Sequence, residues 1–521
     1  MIKSVLKISL VLLMLSAQQH AFSACSILTS EDTPANNIRD GIGIILSSNN
    51  DCPKNVFEFR KQIQAAGLTI KTTMVANRGY HNPSEGSFSF FEIVTGQLNS
   101  MIVHPGDFFF GHFTTVDEND ELTADQGPTD EPRLMIEAFA WDTQKKLFNF
   151  YELIGDGHHN QWFYRGDSAD IFADNALLHR QPDPINPQFG NRLRCTACHG
   201  AGGPIMKEVY APHNDWWEPN RKLDFGDRKF NESILDMINN LVSPEYLSNS
   251  VKLGTKKLAD NHTTQNTRDL SLQETLRPLF CPVEINFMSD MTPNDEKNPL
   301  IKLPIQFFMS KKLISNEVND LFITRSAYEN ALRKTESHFP ETLLSDADHA
   351  WLAPVKAISD EIAINHLIEV GLIDKKFAFD VLSMDMTNPV FSSERCHLLA
   401  YIPNKWSNHW KDEFIQQLKS ANNPTARELF NRLTDASHTP EYYQDKAEKF
   451  LMYCREKLKR EENVQRLFLL LAQRREEIKA SEISKNRRGQ ILEPGFRVIF
   501  PETNADPVPG KLMLTDTCEV I

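Results

Sequence analysis

Signatures of several common enzyme classes are missing from this chain of 521 residues. It contains no Walker loop, no GxGxxG dinucleotide turn, no HExxH zinc-peptidase motif and no GxSxG nucleophile elbow. The glycine-rich run Gly200–Gly203 is not a phosphate loop, because no Lys-Ser or Lys-Thr pair follows it. The sequence therefore gives no support to those four chemistries, and it shows no internal repeat.

An excess of basic residues is missing as well. The chain has 56 Lys and Arg against 70 Asp and Glu, which gives a formal net charge of −14. Phosphates repel a negatively charged chain, so nucleic acid and anionic membrane surfaces are poor partners. A basic redox partner protein is compatible with this charge. The contents of 40% hydrophobic and 24% charged residues are typical of a globular protein.

Long hydrophobic runs are missing after the first 24 residues, and those residues resemble a signal peptide. They begin with Lys3 and Lys7, continue through the apolar run Ile8–Leu15, and end in the small-residue stretch Ala21–Ala24. The apolar run is too short to span a bilayer comfortably. We therefore expect residues 1–24 to be removed, and the mature protein to be exported, periplasmic or secreted, without a transmembrane segment.

Cys25 directly follows this segment and leaves a second interpretation open. Acylation of Cys25 would make the mature chain a lipoprotein. The residue three positions earlier is Phe22 rather than a leucine, which argues against that interpretation.

One strong motif is present, the run Cys195-Thr196-Ala197-Cys198-His199. Two thiols separated by two residues can add to the two vinyl groups on one edge of a porphyrin, and the next histidine can then ligate the iron. The run resembles the attachment motif of c-type cytochromes. This resemblance implies one covalent haem c, bound through Cys195 and Cys198, with His199 as an iron ligand.

Three other interpretations of the motif remain open. A structural zinc site needs four ligands, usually from a second Cys or His pair, and no second CxxC exists here. A thioredoxin-like pair would begin a helix, whereas Gly200–Pro204 is a helix-breaking sequence. A simple disulfide between Cys195 and Cys198 would leave His199 unexplained.

The sixth iron ligand is not determined by the sequence. A vacant or water-bound position is one possibility. Two protein ligands suit electron transfer, and an open position suits binding or activation of a small molecule. The downstream candidates are Met206, His213, Met237, Met288 and Met291, with Met384 and Met386 as more distant ones.

The other six cysteines can form three disulfides in any of 15 connectivities. Proximity in sequence favours Cys25–Cys52. Cys396 and Cys454 both fall in helical patterns and are predicted to link two helices, which leaves Cys281–Cys518.

The pattern of hydrophobic residues predicts an α+β fold. Short aromatic and β-branched runs predict an antiparallel sheet of four to six strands, and Asp142–Lys146 is a predicted hairpin loop. Capping boxes followed by apolar residues at helical spacing predict a mainly α-helical C-terminal half. The expected organisation is a signal peptide, a β-rich domain, a haem-attachment segment, a helical domain and a tail, at 1–24, 25–185, 186–225, 226–490 and 491–521.

The polar and aromatic stretch from His158 to Asp170 precedes the motif. It is predicted either to form a surface loop or to line the haem pocket, with Arg165 or His179 near a propionate. Trp216 and Trp217 follow the motif and are expected to cover the haem edge. A sheet domain that ends in CxxCH also faintly resembles the cytochromes with a lysine cross-linked haem, although no lysine here matches that cross-link.

Two haem functions follow from the resemblance, and a third interpretation does without haem. The first is an exported mono-haem protein that takes part in electron transfer. The second is a haem enzyme of oxidase or peroxidase type, or a gas-binding sensor, with an open sixth position. The third is a structural or binding protein without haem. No catalytic acid–base set is evident from the sequence, so whether the chain is an enzyme stays open.

Overall fold

The chain has an α+β fold, with a mixed sheet in the N-terminal half and helices in the C-terminal half. None of the described helices is long and apolar enough to cross a membrane. The computed structural model describes residues 25–36, 38–49, 51–76, 88–116, 121–124, 133–155, 160–172, 195, 199, 201–204, 217, 219, 229–230, 232–265, 271–281, 284–286, 299–303, 305–314, 318, 320–335, 354–356, 358–387, 393–469, 498–499 and 514–520.

Ten strands form the main sheet, seven of them in the order β1-β9-β8-β7-β5-β3-β2. Strand β4 pairs with β3, and β6 pairs with β5 and β10. Neighbouring strands are antiparallel except for β1–β9 and β6–β10, which are parallel. The strands are β1 (Ile27–Thr29), β2 (Leu68–Ala76), β3 (Phe88–Leu98), β4 (Met101–Val103), β5 (Phe108–Val116), β6 (Glu121–Ala124), β7 (Arg133–Asp142), β8 (Leu147–Gly155), β9 (Asn160–Asp167) and β10 (Lys229–Phe230).

The predicted hairpin between β7 and β8 is confirmed. Asp142 Oδ1 accepts hydrogen bonds from the backbone amides of Gln144 and Lys145 at 2.9 and 3.0 Å. Lys146 has a φ of 56°, in the left-handed region that such a loop requires. The side chain of Asp142 therefore fixes this turn locally, which is why the sequence indicated it.

The prediction of a surface loop between His158 and Asp170 was wrong for most of its length. Residues Asn160–Asp167 form β9, which pairs with β8 on one side and with β1 on the other. Trp162 is fully buried, and its indole Nε1 donates to Pro53 O. This stretch has only a weak period-two pattern, so its sequence did not indicate a strand. Pairing with β8 and β1 stabilises the strand despite that pattern.

The two faces of the sheet carry separate hydrophobic cores. On the first face, Phe90, Phe108 and Phe110 pack with Phe59 and with other buried residues. On the second face, the aromatic residues of β7 and β8 pack with Leu258. Alternate side chains along a strand point to opposite faces, so neighbouring residues serve different cores.

The helices of the N-terminal half cover these faces. They are α1 (Gly41–Ser47), α2 (Val56–Ala65), α3 (Glu232–Asn239) and α4 (Pro244–Gln265). Helix α2 confirms the amphipathic helix that was predicted around Val56–Ile63, and Asn55 caps its N-terminus. Helices α1, α2 and α3 contribute to the first core, while α4 lies on the second face through Leu247, Val251 and Leu258.

The C-terminal half packs around a third, larger core. Its helices are α5 (Leu272–Phe280), α6 (Ile305–Phe308), α7 (Arg325–Thr335), α8 (Ile358–Glu369), α9 (Lys375–Leu382), α10 (Ser393–His397), α11 (Trp410–Ser420), α12 (Pro424–Thr434) and α13 (Pro440–Lys457). Its short strands are β11 (Glu284–Asn286), β12 (Leu300–Leu303), β13 (Leu321–Thr324), β14 (Pro354–Lys356) and β15 (Val498–Ile499). Helix α4 joins the halves by packing along α8, where His366 Nδ1 lies 3.1 Å from Asp260 Oδ1.

Three disulfides link six of the eight cysteines. Cys25–Cys52 confirms the pairing predicted from proximity, and a cysteine in a disulfide has no thiol for acylation. The other two predicted pairs were wrong, since the structure has Cys281–Cys396 and Cys454–Cys518.

Packing explains these pairings. Cys281 directly follows the last residue of α5, Phe280. Arg395 Nε donates to Phe280 O over 3.2 Å, and this contact brings Cys396, the residue after Arg395, next to Cys281. Cys454 lies in the last turn of α13, against the terminal segment that holds Cys518. The tail returns to the body of the protein, as expected. Three disulfides fit an oxidising, extracytoplasmic compartment.

Candidate functional site

A hydrogen bond of α-helical type connects the two described residues of the motif, Cys195 and His199. The backbone amide of His199 donates to Cys195 O over 2.7 Å, the spacing of an α-helical hydrogen bond. Side chains four residues apart lie on the same face of a helix, so Cys195 and His199 share one side of this turn. Cys198 lies outside the described residues. The three disulfides use none of the motif's cysteines.

The imidazole of His199 is oriented by a backbone carbonyl. Nδ1 lies 2.8 Å from Gly203 O. A carbonyl oxygen can only accept a hydrogen bond, so Nδ1 carries the proton and Nε2 of the neutral ring carries the lone pair. Histidine ligands of metals are usually held in this way, because the bonded nitrogen fixes both the tautomer and the ring orientation.

Two aromatic rings of the sheet support the imidazole. The ring centroids of Phe139 and Phe150 lie 5.0 and 5.2 Å from that of His199. The two phenylalanines are directly opposite each other in β7 and β8. Cys195 is buried in the adjoining cluster, which includes Trp141 and Phe148. The motif therefore rests on an aromatic surface built by β7 and β8.

The chain turns sharply after His199. The amide of Gly202 donates to His199 O over 2.6 Å, and Gly202 has a φ of 68°. A Cβ at this position would lie 2.7 Å from the Phe172 ring, so glycine is required for both backbone and space. Ser168 is fully buried and links this turn to the sheet, since its Oγ donates to Gly202 O and accepts from the amide of Phe148.

Helix α4 closes the other side of the loop. Gly254 approaches both Gly106 and Pro204 so closely that a Cβ on Gly254 would lie 2.6 Å from Gly106 O and 2.6 Å from Pro204 Cγ. Leu258, one turn further along, packs beside Gly203 and belongs to the same cluster as Cys195. The carbonyl that orients His199 is thus held between the sheet and α4.

Charged side chains follow the aromatic pair on the same sheet face. Glu137 and Glu152 are directly opposite each other, each two residues from a phenylalanine that contacts His199. Arg165 Nε donates to Glu152 Oε2 over 2.8 Å, and its guanidinium also stacks on Phe163. Arg165, predicted near a propionate, therefore lies in a buried ion pair on this face.

The described members of the predicted ligand set lie elsewhere. Met237 is buried in the first core, on the opposite face of the sheet from Phe139 and Phe150, so it is unsuited to ligate an iron at His199. Met384 and Met386 pack in the helical core. These predictions were wrong because buried methionines mostly fill core space. Candidates Met206, His213, Met288 and Met291 lie outside the described residues, as does His179.

Trp217 does not cover the motif. Its backbone amide donates to Met74 O over 2.9 Å, and its side chain packs against the first core. The prediction that it covers the haem edge was wrong, because Trp217 lies beside β2 and packs against the first core instead. The neighbouring Trp216 is outside the described residues.

A buried charge cluster in the sheet was missed by the sequence reasoning. Glu92 is fully buried and pairs with Arg60, accepts from Thr72 Oγ1 over 2.6 Å, and lies 3.2 Å from His112 Nε2. Burial alone would raise the pKa of Glu92, but Arg60 and these hydrogen bonds hold the pKa below its usual range. A glutamate inside the Phe-rich run of β3 was the available signal.

His112 completes this cluster on the first face of the sheet. Its imidazole stacks on Phe90 with ring centroids 5.1 Å apart, and its Nδ1 has no hydrogen-bond partner among the described residues. Burial lowers the pKa of His112, although the bond to Glu92 raises it. The cluster faces away from the motif, so we assign it to stability.

A second buried network stabilises the same core. Asp40 caps α1 and accepts from Tyr151 Oη and from Asn149 Nδ2. Burial raises the pKa of the Asp40 carboxyl. These contacts are structural, because each links the sheet to the start of α1.

The described donors at the motif are compatible with covalent haem. Within the described part of the chain, no three His, Cys, Asp or Glu side chains gather as a metal-binding group. A structural zinc site needs four such ligands. An imidazole whose Nδ1 is already bonded, one helical turn from a buried cysteine on an aromatic surface, offers the single nitrogen ligand that a haem iron takes from CxxCH.

Comparisons with known proteins identify no relative. No family model matches the chain, and no curated protein or solved structure shows significant similarity to it. The functional conclusion therefore depends on the site.

Proposed function

We propose that this protein is an exported, mono-haem c-type cytochrome-like protein that takes part in electron transfer. Cys195 and Cys198 would hold the porphyrin, and His199 Nε2 would ligate the iron. When bound, the haem supplies one-electron chemistry between Fe(III) and Fe(II). We also propose a periplasmic or secreted location, in keeping with the leader-like first 24 residues and the three disulfides.

The hydrogen bond between His199 Nδ1 and Gly203 O is the observation that carries this proposal. It fixes the tautomer that presents Nε2 as a ligand, and a chance CxxCH sequence has no need of it. The aromatic surface supports it further, since Phe139 and Phe150 pack on the imidazole and would exclude water from the iron. Low polarity around a haem is one of the means by which proteins set its redox potential.

The proposal is tested by making the full chain in a bacterial host that carries the haem-attachment machinery. We expect denatured protein to retain haem, with the absorption spectrum of a doubly thioether-linked haem after treatment with pyridine and alkali. A Cys195→Ser/Cys198→Ser variant should retain none. The matched control is Cys25→Ser/Cys52→Ser, which removes two cysteines outside the motif and should keep its haem. Wild-type protein without covalent haem in this host would contradict both haem functions and favour a non-haem binding protein.

One observation favours a second function, that of a haem enzyme or gas-binding protein. A haem enzyme or gas-binding protein needs polar groups beside an open coordination position, and Glu137, Glu152 and Arg165 lie on the sheet face that carries His199. Absorption spectra with reductant and carbon monoxide separate the two functions. A low-spin, six-coordinate haem whose spectrum does not change with carbon monoxide supports electron transfer. A spectrum that carbon monoxide shifts supports the enzyme or the sensor.

A further inference from the structure

Helix α4 donates a hydrogen bond to the loop that follows the motif. Thr255 is buried, and its Oγ1 donates to the carbonyl of the buried Pro204 over 3.2 Å. The same hydroxyl lies 2.9 Å from Val251 O, one turn earlier in α4. A hydroxyl has one proton to donate, and a helical carbonyl such as Val251 O also accepts a backbone amide. Pro204 O is therefore the acceptor for which this hydroxyl matters most.

The oxygen that orients His199 belongs to the peptide group between Gly203 and Pro204. His199 Nδ1 lies 2.8 Å from this oxygen, Gly203 O. A peptide group is planar, so the position of its oxygen is set by the residues on both sides of the bond. On the proline side, α4 makes two contacts. Thr255 bonds to Pro204 O, and a Cβ on Gly254 would lie 2.6 Å from Pro204 Cγ.

The glycine side of this peptide group is held by different contacts. Ser168, which follows β9, donates from its Oγ to Gly202 O over 2.6 Å. A Cβ on Gly203 would lie 3.0 Å from the side chain of Leu258, so the backbone is tightly packed here as well. The contact from the sheet thus fixes the residue before Gly203, and the bond from α4 fixes the residue after it.

We propose that Thr255 is a positioning residue for the iron ligand: its bond to Pro204 keeps Gly203 O at bonding distance from His199 Nδ1 and thereby lowers the reduction potential of the haem. The inference rests on the proposed covalent haem. A hydrogen bond donated from Nδ1 makes the imidazole a more basic ligand. A more basic ligand stabilises Fe(III) relative to Fe(II), so a weaker bond to Gly203 O raises the potential.

The test measures the midpoint potential of the haem-loaded full chain by spectroelectrochemistry. Thr255→Val replaces the hydroxyl with a methyl group and keeps the shape of the side chain. We expect the equilibrium constant for reduction to rise about tenfold, which corresponds to a potential about 59 mV higher. Thr255→Ser keeps the hydroxyl and should keep the wild-type potential.

A second readout follows the hydrogen bond itself. Nuclear magnetic resonance of the reduced protein resolves the Nδ1 proton of the histidine that ligates the iron. This proton should exchange with water faster in Thr255→Val than in the wild type, because its acceptor is held less firmly. If Thr255→Val does not fold, Thr255→Ala removes the same hydroxyl and takes its place in both measurements.

The matched control is Ser250→Ala in the same helix. Ser250 is buried, and its hydroxyl donates to Tyr246 O over 2.9 Å within α4. Its removal should lower stability, measured by denaturant unfolding, and leave the midpoint potential unchanged. This control separates the positioning of His199 from a general weakening of α4.

Two results with haem present would overturn the inference and leave the proposed function standing. The first is a wild-type potential in Thr255→Val, and the second is an equal shift in Thr255→Val and Ser250→Ala. Absence of covalent haem from the wild-type chain would overturn the inference and the proposed function together.

Discussion

The sheet half and the helical half are held together by different means. In the sheet half, each strand from β1 to β2 is hydrogen-bonded to its neighbours, which sets their register. The Cys25–Cys52 disulfide links two residues that are 27 positions apart in the sequence. In the helical half, short helices pack through side chains, and two disulfides span separations of 115 and 64 residues. The candidate site lies in the sheet half, where the register of β7 and β8 positions the two rings that contact His199. Sites that hold a large group need such positioning.

The largest expected difference between the halves concerns their disulfides. Loop-closure entropy predicts that Cys281→Ser/Cys396→Ser lowers the free energy of unfolding by about 5 kcal/mol, against about 3.5 kcal/mol for Cys25→Ser/Cys52→Ser. The longer loop gains more freedom in the unfolded chain. Denaturant unfolding followed by circular dichroism measures both. Equal losses, or a larger loss for the Cys25–Cys52 pair, would contradict this contrast between the halves.

The next largest effect concerns the buried charges of the sheet. Arg60→Met leaves Glu92 without its cationic partner in a fully buried position. Removing one member of a buried pair lowers stability by about 3–5 kcal/mol. Chemical denaturation should show this loss. The control in the helical half is Lys457→Met, whose partner Glu519 is exposed, and which should have no measurable effect. Comparable losses in the two variants would refute the distinction.

Ser168 tests whether the sheet positions the motif. Ser168→Ala leaves the amide of Phe148 and the carbonyl of Gly202 without their hydroxyl partner, at a cost of about 2 kcal/mol. It should also perturb the absorption spectrum of the haem, because Gly202 lies in the turn that orients His199.

The matched control is Ser383→Ala, a buried serine of the helical half that donates to Asp380 O over 2.9 Å. It should lower stability without changing the spectrum. A change in the spectrum of Ser383→Ala, or an unchanged one in Ser168→Ala, would break the link between the sheet and the site.

The smallest expected effect is the pH dependence from His112. Burial holds the pKa of His112 below the ordinary value of 6.5, so the folded protein binds fewer protons than the unfolded chain below that pH. Stability should therefore fall as pH decreases through 6.5 towards the pKa of the folded state, by on the order of 1 kcal/mol. The facing charges are Glu92 and Arg60, from β3 and α2. Thermal unfolding between pH 8 and 5 measures the slope.

His397 provides the comparison in the helical half. Loss of hydration also lowers the pKa of this histidine. Its side chain is nevertheless exposed at the end of α10, so solvent screens the effect. We expect His112→Gln to flatten the pH slope more than His397→Gln does. The reverse order would show that the helical half, rather than the sheet, is the acid-sensitive part of the protein.

Several features were determined by local sequence. The aromatic and β-branched runs gave β3, β5, β7 and β8, since period-two alternation and a turn are local properties. Asp142 marked the hairpin through its own side chain. The α+β class, and the pairing of Cys25 with the nearby Cys52, followed from order and proximity. The motif at Cys195 was evident because its chemistry requires adjacent residues.

Other features were decided only by the tertiary structure. Strand β9 forms because β1 and β8 pair with it, and Cys281 pairs with Cys396 because α5 and α10 pack together. Gly203, whose carbonyl orients His199, packs beside Leu258 on a distant helix. The cross-strand pair Glu137 and Glu152 depends on the register between β7 and β8. Local patterns specify which elements form, but long-range contacts determine which side chains meet, and in this protein those contacts build the surroundings of the motif.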